Sequence, residues 1–496
     1  MNHIEHFIDG DLVSFEEENL KVYNPASGEV KSSVSIASKE TVSKAITSSK
    51  NAFSTWSTTP ISKRTQVLFE FKKLVDVNIN TLAKIITSEH GKTIDDAKGE
   101  VLRGLEVLEF ACGIPSHLRG QFSDNVAQGI DVHSFRQPIG ITLGITPFNF
   151  PVMVPMWMFP ISIACGNTFI LKPSEKDPSA SLFLAELFKE AGLPSGVLNV
   201  VNGNHTTVDN LMNSPEINAV SFVGSTPVAK IIFEKANKNH KRVQALGGAK
   251  NHLFVMSDAD LDQASDALIG SAYGSAGERC MAISVAVLMD DIADDLIEIL
   301  KDKTKNLTID DGEKNADLGP LISSVHREKV LSYIDSGIKD GAHLIFDGRE
   351  NEKIKNSKGF FLGPSIFDMV KTDMKIYQEE IFGPVLSIIR VKNFEEGLKI
   401  INNHQFANGV SIFTKNGKFA RDFSRKIEVG MVGINVPIPV PVAFHSFGGW
   451  KNSIFGDYHI YGQDGVNFYT KLKAVTSRWP DFKVGAQFVI PNKDSA

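Results

Sequence analysis

Apolar residues recur three and four apart through residues 40–118, most clearly over 65–78 and 82–88, and this spacing predicts a run of amphipathic helices. Beyond them, 126–136 mixes polar and apolar positions and predicts a short strand region, a hairpin arm leaving the body of the protein. From residue 139 the rhythm changes. Apolar runs at 139–146, 168–171, 197–201 and 219–223 predict strands, with helical patterns at 152–165, 180–191 (closed by Gly192), around Val208 and over 228–237. A second alternation opens with a helix over 261–275. Its strands are expected at 284–289, 343–346, 385–389 and 410–413, and its helices include 326–338 and 395–402. The chain turns strand-like again at 474–478. Successive β–α units with apolar strands imply an α/β protein whose parallel sheets are covered on both faces.

A chain of 496 residues is too long for one compact core, so two or three domains are expected. The formal net charge is −6 with no long block of one sign, which gives no reason to expect a nucleic-acid or membrane partner. Three scattered cysteines cannot build a disulfide framework or a paired zinc motif, and they point to a reducing, cytoplasmic setting. Residues 1–10 carry acids and histidines without an apolar stretch, so no secretory signal is expected. The most apolar segment, 147–163, is broken by Pro151, Pro155 and Pro160 and is short for a membrane span; it reads as a buried helix and its approach. His240, His252 and His326 are too scattered to suggest a metal site.

Four places carry candidate chemistry. Cys280 follows small residues and has Arg279 beside it, and a neighbouring cation raises the thiolate fraction of a nucleophilic cysteine. Gly224-Ser225-Thr226-Pro227 follows a predicted strand, with Thr226 as N-cap and Pro227 as first helical residue, and a helix N-terminus there favours phosphate. Lys172 and Glu175 end another strand, where both can hydrogen-bond a ribose diol. Asn149, between Phe148 and Phe150, can donate its amide to an oxyanion. Each also fits a plainer role: a small buried thiol, a capped helix, a solvated strand end, a turn asparagine. No G-x-G-x-x-G follows a strand.

Taken together and in this order, Asn149 in TPFNFP, Lys172 and Glu175 in KPSE, Gly224 and Ser225 in FVGST, Cys280 in GERC, and Glu380 and Phe382 in EEIFGPV make the chain resemble the aldehyde dehydrogenase superfamily over nearly its whole length. The resemblance implies a Rossmann-like NAD-binding domain (1–122 and 142–252), an α/β catalytic domain (253–450), a small β oligomerisation extension (123–141 and 467–496) and a return segment (451–466) to the NAD-binding domain. It implies a homodimer or homotetramer. It also implies that Cys280 attacks the aldehyde, with the Asn149 amide and the Cys280 backbone N–H as oxyanion hole. Lys172 and Glu175 would hold the adenosine ribose, Gly224 and Ser225 the pyrophosphate, and Glu380 the nicotinamide ribose. Phe148 and Phe382 would line the cofactor site. A glutamate at 175 repels a 2′-phosphate, which favours NAD over NADP.

The chain departs from the superfamily at the general base. The usual glutamate of a Glu-Leu-Gly-Gly-Lys run falls on Ala245 or Leu246, depending on the alignment, and neither takes a proton. A thioester should then await a better nucleophile than water, since a general base contributes about 10²–10⁴-fold. The runs 248–252, 277–282 and 435–442 look like those of methylmalonate-semialdehyde dehydrogenases, which implies CoA as acyl acceptor and release of CO₂ or bicarbonate from malonate or methylmalonate semialdehyde. Arg103 and Arg279 match that family's substrate-carboxylate arginines, and a guanidinium fork suits a carboxylate. The rival expectation is a CoA-independent NAD-dependent dehydrogenase of another carboxylated semialdehyde, such as succinate semialdehyde, with Glu278 or Glu379 as substitute base. A non-enzymatic protein on the same fold is the remaining alternative.

Overall fold

The computed structural model describes residues 2–15, 17–355 and 357–479. Two large sheets organise it. The first has eight strands, and its middle is parallel in the order Arg242–Leu246, Ile217–Val223, Ile141–Ile145, Thr168–Lys172 and Leu198–Val200. Ile454–Phe455 adds antiparallel at one edge, and His6–Ile8 followed by Asp11–Val13 at the other. The chain steps outward from Ile141–Ile145 to one side, then returns to build the other. The order therefore reverses between Ile141–Ile145 and Ile217–Val223, and the crevice beyond their C-terminal ends is the switch point where open α/β sheets bind ligands.

Every residue of Ile141–Ile145 and Thr168–Lys172 is buried, which is why these strands read as continuous apolar runs rather than alternating ones. Helix Met153–Ala164 is buried on all sides, and Pro160 stands inside it. A helix apolar all round belongs in a core, and this one packs under the sheet against helix Ile94–Cys112. Among the described residues no helix is long and apolar enough to cross a membrane.

The second sheet has seven strands: His343–Phe346, Ser365–Asp368, Val385–Val391, Ile283–Met289, Asn251–Val255, Gly409–Phe413 and Met431–Ile434, parallel except for the first. A separate three-stranded antiparallel sheet joins Phe122–Ala127 to Ile130–Pro138 and Thr470–Arg478, in continuous register from Thr470 opposite Pro138 to Arg478 opposite Ile130. It brings together the hairpin arm and the C-terminal strand expected from the sequence. Residues 480–496 of the expected extension lie outside the described residues.

Several strands escape the periodicity. Arg242–Leu246 and Asn251–Val255 flank Gly247 to Lys250 and belong to different sheets, so the chain crosses from the first sheet to the second over these four residues, before Asn251 rather than after His252. Both strands carry buried polar residues that break the apolar signal: Gln244 donates to Ser221 Oγ (2.9 Å), and the Asn251 amide donates to backbone carbonyls. Ser365–Asp368 and Met431–Ile434 are short enough to be missed. The helix after Val223 begins one residue earlier than expected. Ser225, not Thr226, is its N-cap, and Thr226 instead accepts a hydrogen bond from Gly248 N–H (2.8 Å).

Candidate active site

The parallel register sets Phe222 beside Ile145 and Ile145 beside Lys172. The segments leaving these strands, Gly224-Ser225, Thr146 to Asn149 and Lys172 to Glu175, therefore emerge along one edge of the sheet. Lys172 Nζ lies 3.0 Å from Glu175 Oε2. Burial pushes the Glu175 carboxyl up, but Lys172 and the hydrogen bonds around it outweigh this and leave its pKa lowered. Ser225 heads helix Thr226–Lys238 without using its hydroxyl as a cap, and among the described residues Oγ has no hydrogen-bond partner at this helix N-terminus. Gly248 faces this edge; a Cβ there would lie 2.5 Å from Glu380 Oε2 and 3.2 Å from Thr226 Oγ1. Along this edge the Glu175 carboxylate thus stands beside Lys172, and the N-terminus of helix Thr226–Lys238 opens at Ser225.

Cys280 follows a tight loop. Ser275, Ala276 and Gly277 are all left-handed (φ 53°, 51° and 76°). For the two non-glycine residues this costs roughly 1–2 kcal/mol each. The loop is held by close contact: a Cβ at Gly277 would lie 2.3 Å from the Gly383 carbonyl. Beyond the nucleophile, the Cys280 carbonyl accepts from Asn251 Nδ2 (2.9 Å) and Asn408 Nδ2 (3.3 Å). Sequence reasoning missed both asparagines; the only signal for Asn251 was a polar residue where a strand should be apolar.

Two cavities meet at Cys280. A small one of about 20 Å³ is lined by Cys280, Glu380 and Phe382 with Ala249 and Asn251. A larger one of about 560 Å³ is lined by Cys280, Arg103, Arg279, Asp96, Phe150 and Trp157 among others. On the small side Glu380 accepts from Ala249 N–H (2.9 Å). Burial raises its carboxyl to about 7 despite that bond and Lys250. Phe382, itself left-handed (φ 60°), meets Phe148 edge to face at 5.8 Å, and its carbonyl lies 2.7 Å from His326 Nε2.

Asn149 is buried, and among the described residues its side-chain amide has no hydrogen-bond partner, while its carbonyl accepts from Lys92 Nζ (2.5 Å). Lys92 also lies 2.8 Å from Glu100 Oε2, both side chains being fully buried, and Glu100 Oε1 accepts from the N–H groups of Val152 (2.8 Å) and Met153 (3.1 Å). The turn bearing Asn149 is thus braced by a buried ion pair between Lys92, in the link after helix Ile79–His90, and Glu100 on helix Ile94–Cys112. Nothing local in the sequence announces it, because Lys92 and Glu100 read as ordinary helix-surface charges.

The two arginines of the larger cavity are already engaged. Arg103 donates to Glu106 (2.7 Å) and to the carbonyls of Val440 (3.3 Å) and Pro441 (3.2 Å). Arg279 is paired with Asp96. Arg279 acts on the thiol in the expected direction, but weakly. Burial, and then the Glu380 charge, push the Cys280 thiol up to about 12, and Arg279 is the weakest of the opposing influences. Its charge is shared with Asp96.

At the missing base, Ala245 and Leu246 are both buried, and they face different apolar clusters. Leu246 shares its cluster with Met281. The two substitute bases point elsewhere. Glu278 accepts from Ile322 N–H (3.2 Å) and lies 3.5 Å from His326, and Glu379 accepts from the Tyr333 hydroxyl (2.6 Å). Neither lines either cavity at Cys280. Among the described residues no group of three or more His, Cys, Asp or Glu is arranged to hold a metal.

Residues 12–475 match the family described as the Aldehyde dehydrogenase family. A malonate-semialdehyde dehydrogenase of Pseudomonas aeruginosa is 54% identical, over 99% of this chain and 100% of that protein. One from Bacillus pumilus is 48% identical, over 96% of this chain and 98% of that one. Among solved structures, a Sinorhizobium meliloti 1021 protein complexed with NAD superposes with a TM-score of 0.96 at 51% identity, covering 97% of this chain and 99% of the other. A methylmalonate-semialdehyde dehydrogenase from Oceanimonas doudoroffii gives the same values.

Proposed function

The chain belongs to the aldehyde dehydrogenase family, and within it we propose a CoA-acylating, NAD-dependent oxidative decarboxylation of malonate and methylmalonate semialdehyde. Its relatives' names and the NAD-bound neighbour support NAD-dependent semialdehyde oxidation. The observation that carries the finer reading is that one cavity holds Cys280 together with two arginines, while the strand end that would present a general base is apolar.

Lys172 and Glu175 fit the adenosine ribose, Gly224 and Ser225 the pyrophosphate, and Glu380, Phe148 and Phe382 the nicotinamide riboside. Bound NAD supplies the hydride acceptor. Cys280 Sγ adds to the aldehyde carbon as its proton passes to solvent. The Asn149 amide and the Cys280 backbone N–H donate to the developing oxyanion, a type of contact typically worth about 10²–10³-fold in kcat. Arg103 and Arg279 receive the substrate carboxylate. Loss of hydride leaves a thioester on Cys280 with that carboxylate β to the carbonyl. The C–C bond to the carboxylate then breaks, CO₂ leaves, and the electron pair enters an enolate held by the same oxyanion donors. Protonation and attack by the CoA thiol release acetyl-CoA or propionyl-CoA and free Cys280.

The decisive experiment is turnover of malonate semialdehyde with NAD, with and without CoA, with the products identified. Acetyl-CoA formation at full rate only with CoA is expected. Free acid formed at full rate without CoA overturns the acylating reading in favour of a hydrolytic semialdehyde dehydrogenase.

A further inference from the structure

Gly274 caps helix Leu261–Tyr273 with φ −52° and ψ 136°, a conformation open to any residue, so the backbone does not require glycine there. Space does. A Cβ at 274 would lie 2.5 Å from Arg279 Nη1, 2.7 Å from Cζ and 2.8 Å from Nη2, and these are its three nearest neighbours. The guanidinium therefore lies where a side chain at 274 would begin. Gly277, three residues on, is different, because there φ is +76° and a backbone carbonyl blocks the site.

Asp96, from the first turn of helix Ile94–Cys112, takes one edge of the same guanidinium through Nη2. Among the described residues nothing else accepts from Arg279, so its remaining N–H groups are free on the wall of the cavity shared with Cys280. A planar fork held on one face and one edge keeps its other donors in a fixed direction. A carboxylate that binds it then loses little freedom on the protein's side.

We propose that Gly274 is a specificity-determining residue: its absent side chain seats the Arg279 guanidinium, and this seat, closed at one edge by Asp96, makes Arg279 a preformed carboxylate receptor. This rests on the reading that Arg279 receives the substrate carboxylate. A methyl group at 274 has to displace the guanidinium, because none of the three distances is compatible with a real Cβ contact.

The test compares kcat/KM for malonate semialdehyde with kcat/KM for propanal, which has no carboxylate. In Gly274→Ala the ratio is expected to fall about ten-fold or more, the loss of one charge-assisted contact, and mainly through KM for the semialdehyde. In an Arg279→Leu background, adding Gly274→Ala is expected to leave the ratio where Arg279→Leu puts it. If Arg279→Leu lowers the ratio and Gly274→Ala does not, the seat is overturned and the carboxylate reading stands. If Arg279→Leu leaves the ratio unchanged, the carboxylate reading fails and the seat fails with it.

Discussion

Cys280 stands between two cavities built in opposite ways. Toward Glu380 and Phe382 the space is small, about 20 Å³, and its walls are fixed by backbone: the left-handed loop on Gly383, Glu380 on the Ala249 N–H, and the asparagines on the Cys280 carbonyl. Toward Arg103 it is about 560 Å³, and its charged walls are side chains in partly exposed ion pairs, Arg103 with Glu106 and Arg279, which borders both cavities, with Asp96. A cofactor is the same in every turnover, so its side can be rigid. Substrates differ in their tails, and the partly exposed Arg103–Glu106 pair, of a kind worth about 0–1 kcal/mol, can rearrange around them, while the Arg279–Asp96 pair stays seated on Gly274. The contrast separates residues that set chemistry from residues that set selectivity, and it can be broken.

The largest effect is expected at the boundary itself. Cys280→Ala should abolish NADH formation with every aldehyde while NAD still binds, as followed by isothermal titration calorimetry. Residual turnover would show that another group is the nucleophile. Next comes the brace on the rigid side. Lys92→Ala strands the fully buried Glu100 and should destabilise the protein by about 3–5 kcal/mol, measured as a shift of the urea midpoint. Asn149→Ala should leave the urea midpoint nearly unchanged yet lower kcat about 10²–10³-fold. If Asn149→Ala instead matched Lys92→Ala in stability, Asn149 would be structural.

On the open side, Arg103→Leu should raise KM for malonate semialdehyde about ten-fold and leave KM for propanal much less affected. Equal effects on both would remove the clamp. The smallest effect is the pH dependence of the rigid side. Glu380, held at about 7, is neutral below that pH and ionised above it, and only the ionised form accepts fully from ribose hydroxyls. The dissociation constant of NAD should therefore fall as pH rises through 7 and level off above it. In Glu380→Gln it should be flat over that range. A wild-type profile without a step near 7 would separate Glu380 from the ribose.

The candidate ligand-binding residues were legible in the sequence because they sit in short, distinctive runs; TPFNFP, KPSE and FVGST each mark a place where a parallel strand stops, and GERC lies in the loop before strand Ile283–Met289. The supports were not. Glu100 lies on a helical stretch whose periodicity says only that charges face outward, and Lys92 in the short link before it, yet both side chains are buried under a turn far away in sequence. Asn251 and Gln244 hide their strands for a related reason, since a buried polar residue paired across a sheet looks like a loop residue in one dimension. The role read for Arg279 was half legible. Its place beside the thiol was plain, but its partner Asp96 lies on another helix, and that partner alters what the charge can do to Cys280.

The three-stranded sheet has a consequence for how the protein is made. Its middle strand, Ile130–Pro138, pairs on one side with Phe122–Ala127, made just before it, but its other neighbour, Thr470–Arg478, is made only after all of residues 139–469. Until then the arm presents an unpaired strand edge, with Phe122, Val126 and Phe135 exposed on the hairpin. Such an edge is a template for pairing with other chains. A nascent chain stalled before residue 470 should therefore be the aggregation-prone species and a natural client for chaperones, whereas completing the last strand closes that edge.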